Sequence, residues 1–432
     1  MTRHAAALLC LALVLAGALF LGLRTARLWG DEKAYVALTH PTREAPWPER
    51  FRALLPGEMP LRWWPPLPFS VYGVLAGPRP SAADLDDLDV AATGLPAAMR
   101  PFWWRALALN LALLGCSCGL LYALCLTLGV GPWLAAAACA LVALNPRTLF
   151  YAPALWPELL HQALFLGGLL GLVRYLRWGS LRALAVTSAI WGYAALTKRV
   201  VEPYALLLLP LLVWPARRSV GSMLVTLLVF AAPYGAITGL QRWTNAREHG
   251  AWVLSTNTWV NVETGLVPDD AYQDLGYAKV LDRYHAASAA PLEREVAARG
   301  RVFEHLQSTS LAALAARVGE NYGRQILDSF FALGVSAERW RGVDPANASW
   351  AIVLGQTMSV LLTACGALGV VWLGWRSPTH AALALFLIYY WAALGVVGHN
   401  PRFFVQSMPL MAVFAALLSQ RWSRHARGPA VV

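Results

Sequence analysis

Long runs of apolar residues recur along the chain, from its amino terminus almost to its last residues. A hydrocarbon core of about 30 Å requires roughly 20 apolar residues in a helix. The runs have about this length, although several are short or interrupted. The pattern therefore predicts an all-α polytopic membrane protein with about ten transmembrane helices. The predicted spans are residues 5–23, 106–128, 133–150, 158–176, 183–199, 202–215, 219–240, 351–375, 380–398 and 402–420.

Two polar stretches separate these spans, at residues 24–103 and 241–350. We therefore predict an amino-terminal transmembrane module over residues 1–240, which includes the first loop. A helical loop region follows at 241–350, and residues 351–432 form the last helices and a tail. The other connections are short, so the long loops are expected on one side of a compact bundle.

Each long loop contains helical periodicity. Trp47, Phe51 and Leu55 share one face of a helix at residues 46–55, which predicts a helix lying in the membrane interface or packed on the bundle. Helices are also predicted at 291–307 and 311–331. In the first of these, the predicted buried face consists of Leu292, Val296, Phe303 and Leu306.

Composition and charge agree with a membrane protein and give its orientation. The 432 residues are 58% hydrophobic and 14% charged, with a formal net charge of +11. With the amino terminus inside, the predicted cytoplasmic segments are basic and hold no acid, which satisfies the positive-inside rule. The charge therefore predicts topology rather than nucleic-acid binding. The basic residues are Arg3, Arg174, Arg177, Arg182, Arg217, Arg218, Arg376, Arg421, Arg424 and Arg427.

We predict that the protein lies in the bacterial cytoplasmic (inner) membrane, and the distribution of basic residues predicts that both termini are cytoplasmic. The first apolar run is interpreted as an uncleaved anchor rather than a signal peptide, since it is long and no clear cleavage site follows. The six cysteines fall within predicted spans, so neither a disulfide framework nor a zinc site is expected. Nucleotide-binding loops of the Walker or dinucleotide type are absent from the sequence.

Four cations break the positive-inside pattern, because they lie in short connections predicted to face outward. A positive charge at the mouth of a helical bundle is energetically unfavourable unless a negative group lies nearby. A lipid phosphate is such a group. The alternative is that each one reaches lipid headgroups or pairs with Glu158 or Glu202. The four cations are Arg147, Lys198, Arg199 and Arg402, the last preceded by His399 and Asn400.

Carboxylates occur at the same predicted edge. Asp31 and Glu32 directly follow the first span, and Glu158 begins the fourth with His161 one turn further on. A positioned carboxylate can take the proton of an attacking hydroxyl or amine, which accelerates such reactions by roughly 10²- to 10⁴-fold. The alternative for Asp31 is a helix cap.

Several short segments, in order along the chain, resemble the motifs of polyprenyl-phosphate-sugar-dependent GT-C glycosyltransferases, the branch of protein mannosyltransferases and lipid A aminoarabinose transferases. Residues 30–35 resemble an Asp-Glu-x-x-Tyr motif that ends at Tyr35. Glu158 stands where many relatives have Asp, and Phe403 stands where Tyr is usual. The other similar segments are residues 64–69 (WPPLPF), 145–158 (from NPR to the acid), 195–198 (ALTK), 256–261 (TNTWVN) and 400–409 (from NPRFF to the proline).

The resemblance implies a polyprenyl- or dolichyl-phosphate sugar donor and an outward-facing site. It implies that Asp31 is the catalytic base, that Glu32 and Glu158 support catalysis, and that Lys198 and Arg402 lie near the donor phosphate. Tyr35, His161, His399 and Asn400 are expected to support the site. A divalent cation, magnesium or manganese, held by Asp31 and Glu158 is compatible with the family; no other cofactor is predicted.

The predicted function is inverting transfer of one sugar to a lipid, glycan or protein acceptor, with membrane lipids as the other partners. Two alternatives remain at this stage. A flippase or transporter would line a path through the middle of the bilayer with polar residues. A polymerase or ligase of lipid-linked glycans would use the same class of donor but move a whole glycan.

Overall fold

The computed structural model describes residues 4–24, 51–59, 65–75, 100–152, 154–217, 219–267, 291–327, 345–397 and 404–426, and every regular element within them is an α-helix. The predicted all-α class is confirmed for these residues. The helices are α1 (Ala5–Arg24), α2 (Leu67–Leu75), α3 (Arg100–Thr127), α4 (Pro132–Ala143), α5 (Pro146–Tyr151), α6 (Glu158–Trp178), α7 (Leu181–Ala195), α8 (Val201–Leu207), α9 (Leu209–Val213), α10 (Val220–His249), α11 (Thr258–Leu266), α12 (Pro291–Ser308), α13 (Leu311–Leu327), α14 (Pro345–Leu373), α15 (Pro378–Val396) and α16 (Met408–Ala426).

Among the described residues, five helices are long and apolar enough to cross a membrane: α3, α6, α10, the part of α14 from Val353 to Leu373, and α15. The predicted count of about ten spans is not confirmed. The predicted span at 133–150 is divided into α4 and α5, where Asn145 caps α5 and Pro146 begins it. The span at 202–215 is divided into α8 and α9, with Pro210 in the first turn of α9. Proline lacks the backbone N–H that a continuous helix needs, so both divisions have a local cause.

Helix α6 lies at the centre of the bundle, between α3 and α7, and α7 packs in turn on α10. Small residues allow α6 and α7 to approach closely. A Cβ at Gly168 would lie 2.1 Å from Trp191 Nε1, so only glycine fits there. Helix α16 packs against α4 and α14, and its residues from Met408 to Phe414 are buried. Small residues at helix contacts are typical of membrane bundles.

The bundle has two distinct ends. At one, which we call the tail end, His4 Nδ1 lies 3.0 Å from Tyr122 Oη, and Gln420 binds the backbone of Gly129 and Gly131. The start of α1 and the last turns of α16 therefore lie at the same end of the bundle. Arg177 and Arg376, from the predicted cytoplasmic set, also lie here, near His380.

At the opposite end, which we call the loop end, α10 extends beyond its predicted limit at residue 240. It continues to His249 and ends at Gly250, whose φ of 71° is left-handed. Helices α11, α12 and α13 lie at this end, where α11 packs on α12, α13 and α15. A left-handed glycine is a common helix terminator because it has no Cβ to clash.

The two helices predicted in the second loop are present, as α12 and α13, but the predicted buried face of α12 is wrong. Val296, Phe303 and Leu306 are 61%, 49% and 38% exposed. The buried residues are instead Glu295, Ala298 and Val302. In the first loop, Phe51 and Leu55 are exposed, and the rest of the predicted helix at 46–55 lies partly outside the described residues.

Candidate active site

A buried ion pair joins the start of α6 to the segment after α7. Glu158 is the first residue of α6 and its side chain is 1% exposed. Lys198 Nζ lies 2.9 Å from Glu158 Oε1, and its side chain is 14% exposed. The positive end of the α6 dipole favours a carboxylate at this position. Because both groups are mostly removed from water, each charge depends on its partner.

Segments from distant parts of the chain converge on this pair. The backbone N–H of Leu67, at the start of α2, donates to Leu196 O at 3.0 Å, two residues before Lys198. Gln406 Nε2 donates to the backbone oxygen of Glu158 at 3.2 Å, although 248 positions separate them. The described parts of the motif segments at 64–69, 145–158, 195–198 and 400–409 therefore meet at the loop end.

Buried hydrogen bonds fix the connection that leads into Glu158. Asn110 of α3 donates from Nδ2 to Ala154 O at 2.6 Å. The Tyr72 hydroxyl donates to Asn110 Oδ1 at 2.7 Å and lies 3.2 Å from Trp156 O. These groups are out of water, so losing one partner would leave a buried polar group unsatisfied. Side chains of α2 and α3 thus fix the backbone of the segment that leads into Glu158.

A second charged group, which we call the arginine cluster, consists of Arg199, Glu202 and Arg242. Arg199 Nε lies 3.1 Å from Glu202 Oε2, and Arg242 Nη2 binds Glu202 Oε1. The side chains are 27%, 14% and 22% exposed, respectively. Two guanidinium groups share one carboxylate, so the cluster has a formal excess of one positive charge and remains partly open to solvent.

The arginine cluster also binds the segment that precedes α11. Arg199 Nη1 donates to Thr258 Oγ1 at 2.6 Å and lies 3.4 Å from Ser255 O. Thr258 belongs to the motif-like segment at 256–261. This segment therefore joins the others at the loop end, through the residue that directly follows Lys198.

Glu295 of α12 binds the other side of α11. Its carboxylate accepts hydrogen bonds from the backbone N–H groups of Thr258, Trp259 and Val260 at 3.0 to 3.4 Å. Burial raises the pKa of Glu295, while these backbone donors and Arg199 oppose the increase. The arrangement caps α11 with a side chain from another helix.

Arg147 lies at the same end but has different partners. Its Nη1 and Nη2 donate to the backbone oxygens of Gln325 and Ile326 at 2.8 and 2.7 Å, and the residue is 2% exposed. The guanidinium lies 5.2 Å from the centre of the Phe404 ring. Arg147 therefore caps the last turn of α13 and joins it to the bundle.

His161 lies beside the ion pair, as its position on α6 suggests. It is 1% exposed, its ring stacks on Phe165, and Lys198 is a charged neighbour. Its Nδ1 is buried and has no hydrogen-bond partner among the residues that the structure describes. The supporting role of His161 stays a prediction.

The structure therefore brings Arg147, Glu158, His161, Lys198 and Arg199 to one end of the bundle. For Lys198 and Arg199 it shows the pairing with Glu158 and Glu202 that the sequence left as an alternative. Phosphate binding by these cations stays a prediction. The other predicted site residues, Asp31, Glu32, Tyr35, His399, Asn400 and Arg402, lie outside the described residues.

Lys198 Nζ contacts one of the two carboxylate oxygens of Glu158, Oε1. Within the described part of the chain, no three His, Cys, Asp or Glu side chains are grouped to hold a metal. A magnesium or manganese ion held by Asp31 and Glu158 stays a prediction, since Asp31 is not described.

Sequence reasoning missed Arg242, because it placed the end of the seventh span at residue 240. The helix continues through residues 241–249, where no glycine or proline interrupts it, and this pattern could have located Arg242 on the helix. Glu295 and Gln406 were missed as well. Their roles depend on partners that are distant in sequence, so no local pattern identifies them.

Comparison with known proteins gives a likeness of fold. No protein-family model and no curated protein sequence matches the chain. The crystal structure of the Archaeoglobus fulgidus oligosaccharyltransferase in its apo form matches with a TM-score of 0.51 and 13% identity, covering 99% of this chain and 52% of that one. The helical fold of this chain therefore resembles that of part of this oligosaccharyltransferase. At this identity the match shows the fold alone.

A second solved structure is that of the archaeal oligosaccharyltransferase AglB from the same organism, in complex with an inhibitory peptide and a dolichol-phosphate. It matches with a TM-score of 0.47 and 13% identity, again covering 99% of this chain and 52% of that one. The chain thus spans about half the length of the oligosaccharyltransferase that it resembles.

Proposed function

We propose that this protein is a membrane glycosyltransferase that transfers one sugar from a polyprenyl or dolichyl phosphate to an acceptor at the loop end of the bundle, on the extracytoplasmic side. The main observation in support is the convergence of the motif-like segments on the Glu158–Lys198 pair, within a helical fold that resembles part of an oligosaccharyltransferase. The arginine cluster next to this pair supplies the positive charge that a lipid phosphate requires.

The proposed reaction is a single displacement. An acceptor hydroxyl or amine attacks the anomeric carbon, the carbon–oxygen bond to the phosphate breaks, and the acceptor proton passes to the Asp31 carboxylate. The lipid phosphate leaves with the bonding electron pair, and the anomeric configuration inverts. Fixed positive charge near the leaving phosphate stabilises the charge that develops in the transition state.

Within the loop end, we assign the leaving phosphate to Arg199 and Arg242. Both are partly exposed, and together they exceed the negative charge of Glu202 by one. Lys198 is held by buried Glu158, and the Arg147 guanidinium binds two backbone carbonyls. The latter two are suited to shaping the site, whereas the arginine cluster is suited to receiving an anion.

The distribution of charge favours an enzyme over a transporter. In the five long apolar helices described, Asp, Glu, Lys and Arg occur only towards the helix ends, as with Glu158 and Arg242. A transporter would place such groups near the middle of the bilayer. The structural likeness to an oligosaccharyltransferase makes transfer of a whole glycan the second candidate. Assays with lipid-linked single sugars and lipid-linked oligosaccharides separate these two donors.

The assignment of the base is tested with purified full-length protein, a radiolabelled polyprenyl-phosphate sugar and membrane extract as the acceptor source. The donor is chosen by identifying the lipid-linked sugar that accumulates when the protein is removed from its host. We expect Asp31→Asn to abolish transfer while the protein still folds in detergent. Asp84→Asn, in the same loop, is the matched control and should transfer normally. Near-normal transfer by Asp31→Asn would contradict the role of Asp31.

A further inference from the structure

The amino terminus of α11 is capped from outside the helix. Asn257 occupies the cap position, but its side chain makes no capping hydrogen bond. Glu295 of α12 supplies the acceptor instead, from 35 to 37 positions further along the chain. Three consecutive backbone N–H groups, those of residues 258–260, therefore depend on one carboxylate.

Glu295 is only 8% exposed, so its carboxylate is largely removed from water. Burying a carboxylate is unfavourable unless hydrogen bonds and nearby positive charge compensate. Here the compensation comes from the three N–H groups, the positive end of the α11 dipole and the nearby Arg199 guanidinium. The contact is thus specific: the carboxylate is stable in this position only while the first turn of α11 remains against it.

The other end of α11 is held independently. Arg317 Nε and Asn321 Nδ2, both of α13, donate to Gly265 O at 3.0 and 2.9 Å. Arg301 of α12 binds Glu263. Removing Glu295 would therefore loosen the first turn of α11 while leaving the last turn attached.

The first turn of α11 contains Thr258, whose hydroxyl binds Arg199 at 2.6 Å. This turn links Glu295 to Arg199 through hydrogen bonds, and Arg199 is in addition a charged neighbour of Glu295. We propose that Glu295 is a positioning residue: by holding the first turn of α11, it fixes Thr258 and thereby aims the Arg199 guanidinium at the lipid phosphate. This inference rests on the proposed function, because it assumes that Arg199 binds the lipid phosphate.

A double-mutant cycle tests the inference. The dissociation constant of undecaprenyl phosphate is measured for the full chain in nanodiscs, as wild type, Glu295→Ala, Arg199→Ala and the double variant. Each single change should weaken binding about tenfold, the scale of one lost charge-assisted hydrogen bond. The double variant should bind no more weakly than Arg199→Ala, because Glu295 acts through Arg199. Additive effects, about a hundredfold together, would overturn the proposal.

The matched control is Glu263→Ala, which removes the partner of Arg301 at the last turn of α11. It should change binding less than twofold, alone or with Arg199→Ala. Glu295→Gln preserves the size of the side chain and one acceptor oxygen, so it should fold and weaken binding less than Glu295→Ala. Equal effects of Glu263→Ala and Glu295→Ala would show that loosening α11 anywhere suffices, which contradicts a specific role for Glu295.

Amide hydrogen exchange tests the contact without any ligand. In Glu295→Ala, peptides covering residues 258–260 should exchange faster than in wild type, while those covering α13 should not change. Unchanged exchange at 258–260 would overturn the positioning role. If wild type binds no undecaprenyl phosphate, the proposed function fails, and the exchange result still decides whether Glu295 holds α11.

Discussion

Lys198 and Arg199 are neighbours in the chain, yet they lie in opposite electrostatic environments. Lys198 forms an ion pair with Glu158, whose side chain is 1% exposed. Arg199 and Arg242 share Glu202, and both remain more than a fifth exposed. The buried pair joins the start of α6 to the segment that follows α7. The arginine cluster has surplus positive charge and access to solvent. Two cations that are adjacent in the sequence can therefore have different roles, one in stabilising the fold and the other in binding an anion.

The largest expected effect comes from breaking the buried pair. Glu158→Gln removes the carboxylate that the mostly buried Lys198 binds, so we expect a loss of stability of about 3–5 kcal/mol. The measurement is the thermal unfolding midpoint of the purified protein in detergent. Glu158→Gln combined with Lys198→Met removes both charges and should recover most of the midpoint. If the single variant unfolds at the wild-type temperature, the pair does not hold the helices together.

A smaller effect, in binding rather than stability, is expected from Arg242→Ala. Loss of a charged hydrogen-bond donor costs about 1.5–3 kcal/mol, which corresponds to about ten- to a hundredfold weaker binding of polyprenyl phosphate. The unfolding midpoint should remain close to that of wild type. Arg247→Ala is the control, since Arg247 lies on the same helix, beside the Trp243 ring. Equal losses of affinity in the two variants would indicate a general effect of surface charge.

The smallest expected effect concerns salt. Raising ionic strength from about 0.1 M to about 1 M shortens the screening length from about 10 Å to about 3 Å. Binding of polyprenyl phosphate to the partly exposed arginine cluster should weaken several-fold over this range. The difference in unfolding midpoint between wild type and Glu158→Gln should stay constant, because the buried pair is poorly screened. A salt-dependent difference would mean that water reaches the buried pair.

Sequence patterns predicted some of the local structure whose cause is local. Helices α12 and α13 begin at the predicted residues, because Pro291 and the apolar periodicity after Ser310 mark their starts. The divisions at Pro146 and Pro210 were missed, although proline at each site gives a physical reason. The all-helical class was predictable from the length and number of the apolar runs.

Features that depend on distant contacts were not predictable. The exposed face of α12 contains Val296 and Phe303, while Glu295 is buried. The pattern of apolar residues cannot reveal this, since the partner of Glu295 is the backbone of α11 rather than an apolar core. Similarly, the sequence identifies Lys198 and Arg199 as unusual cations but does not show which one has a buried partner. That distinction depends on the position, in the folded bundle, of the first residue of α6, which is Glu158.

The central claim is that a lipid phosphate binds at the loop end, beside Arg199 and Arg242. It is tested most directly with a polyprenyl phosphate analogue that has a photoactivatable group next to the phosphate, cross-linked to the full-length protein in nanodiscs and mapped by mass spectrometry. We expect cross-links in peptides that contain residues 196–204 or 241–249, and competition by unmodified polyprenyl phosphate. Competed cross-links confined to the tail end, near residues 128–131 or 376–380, would contradict the account.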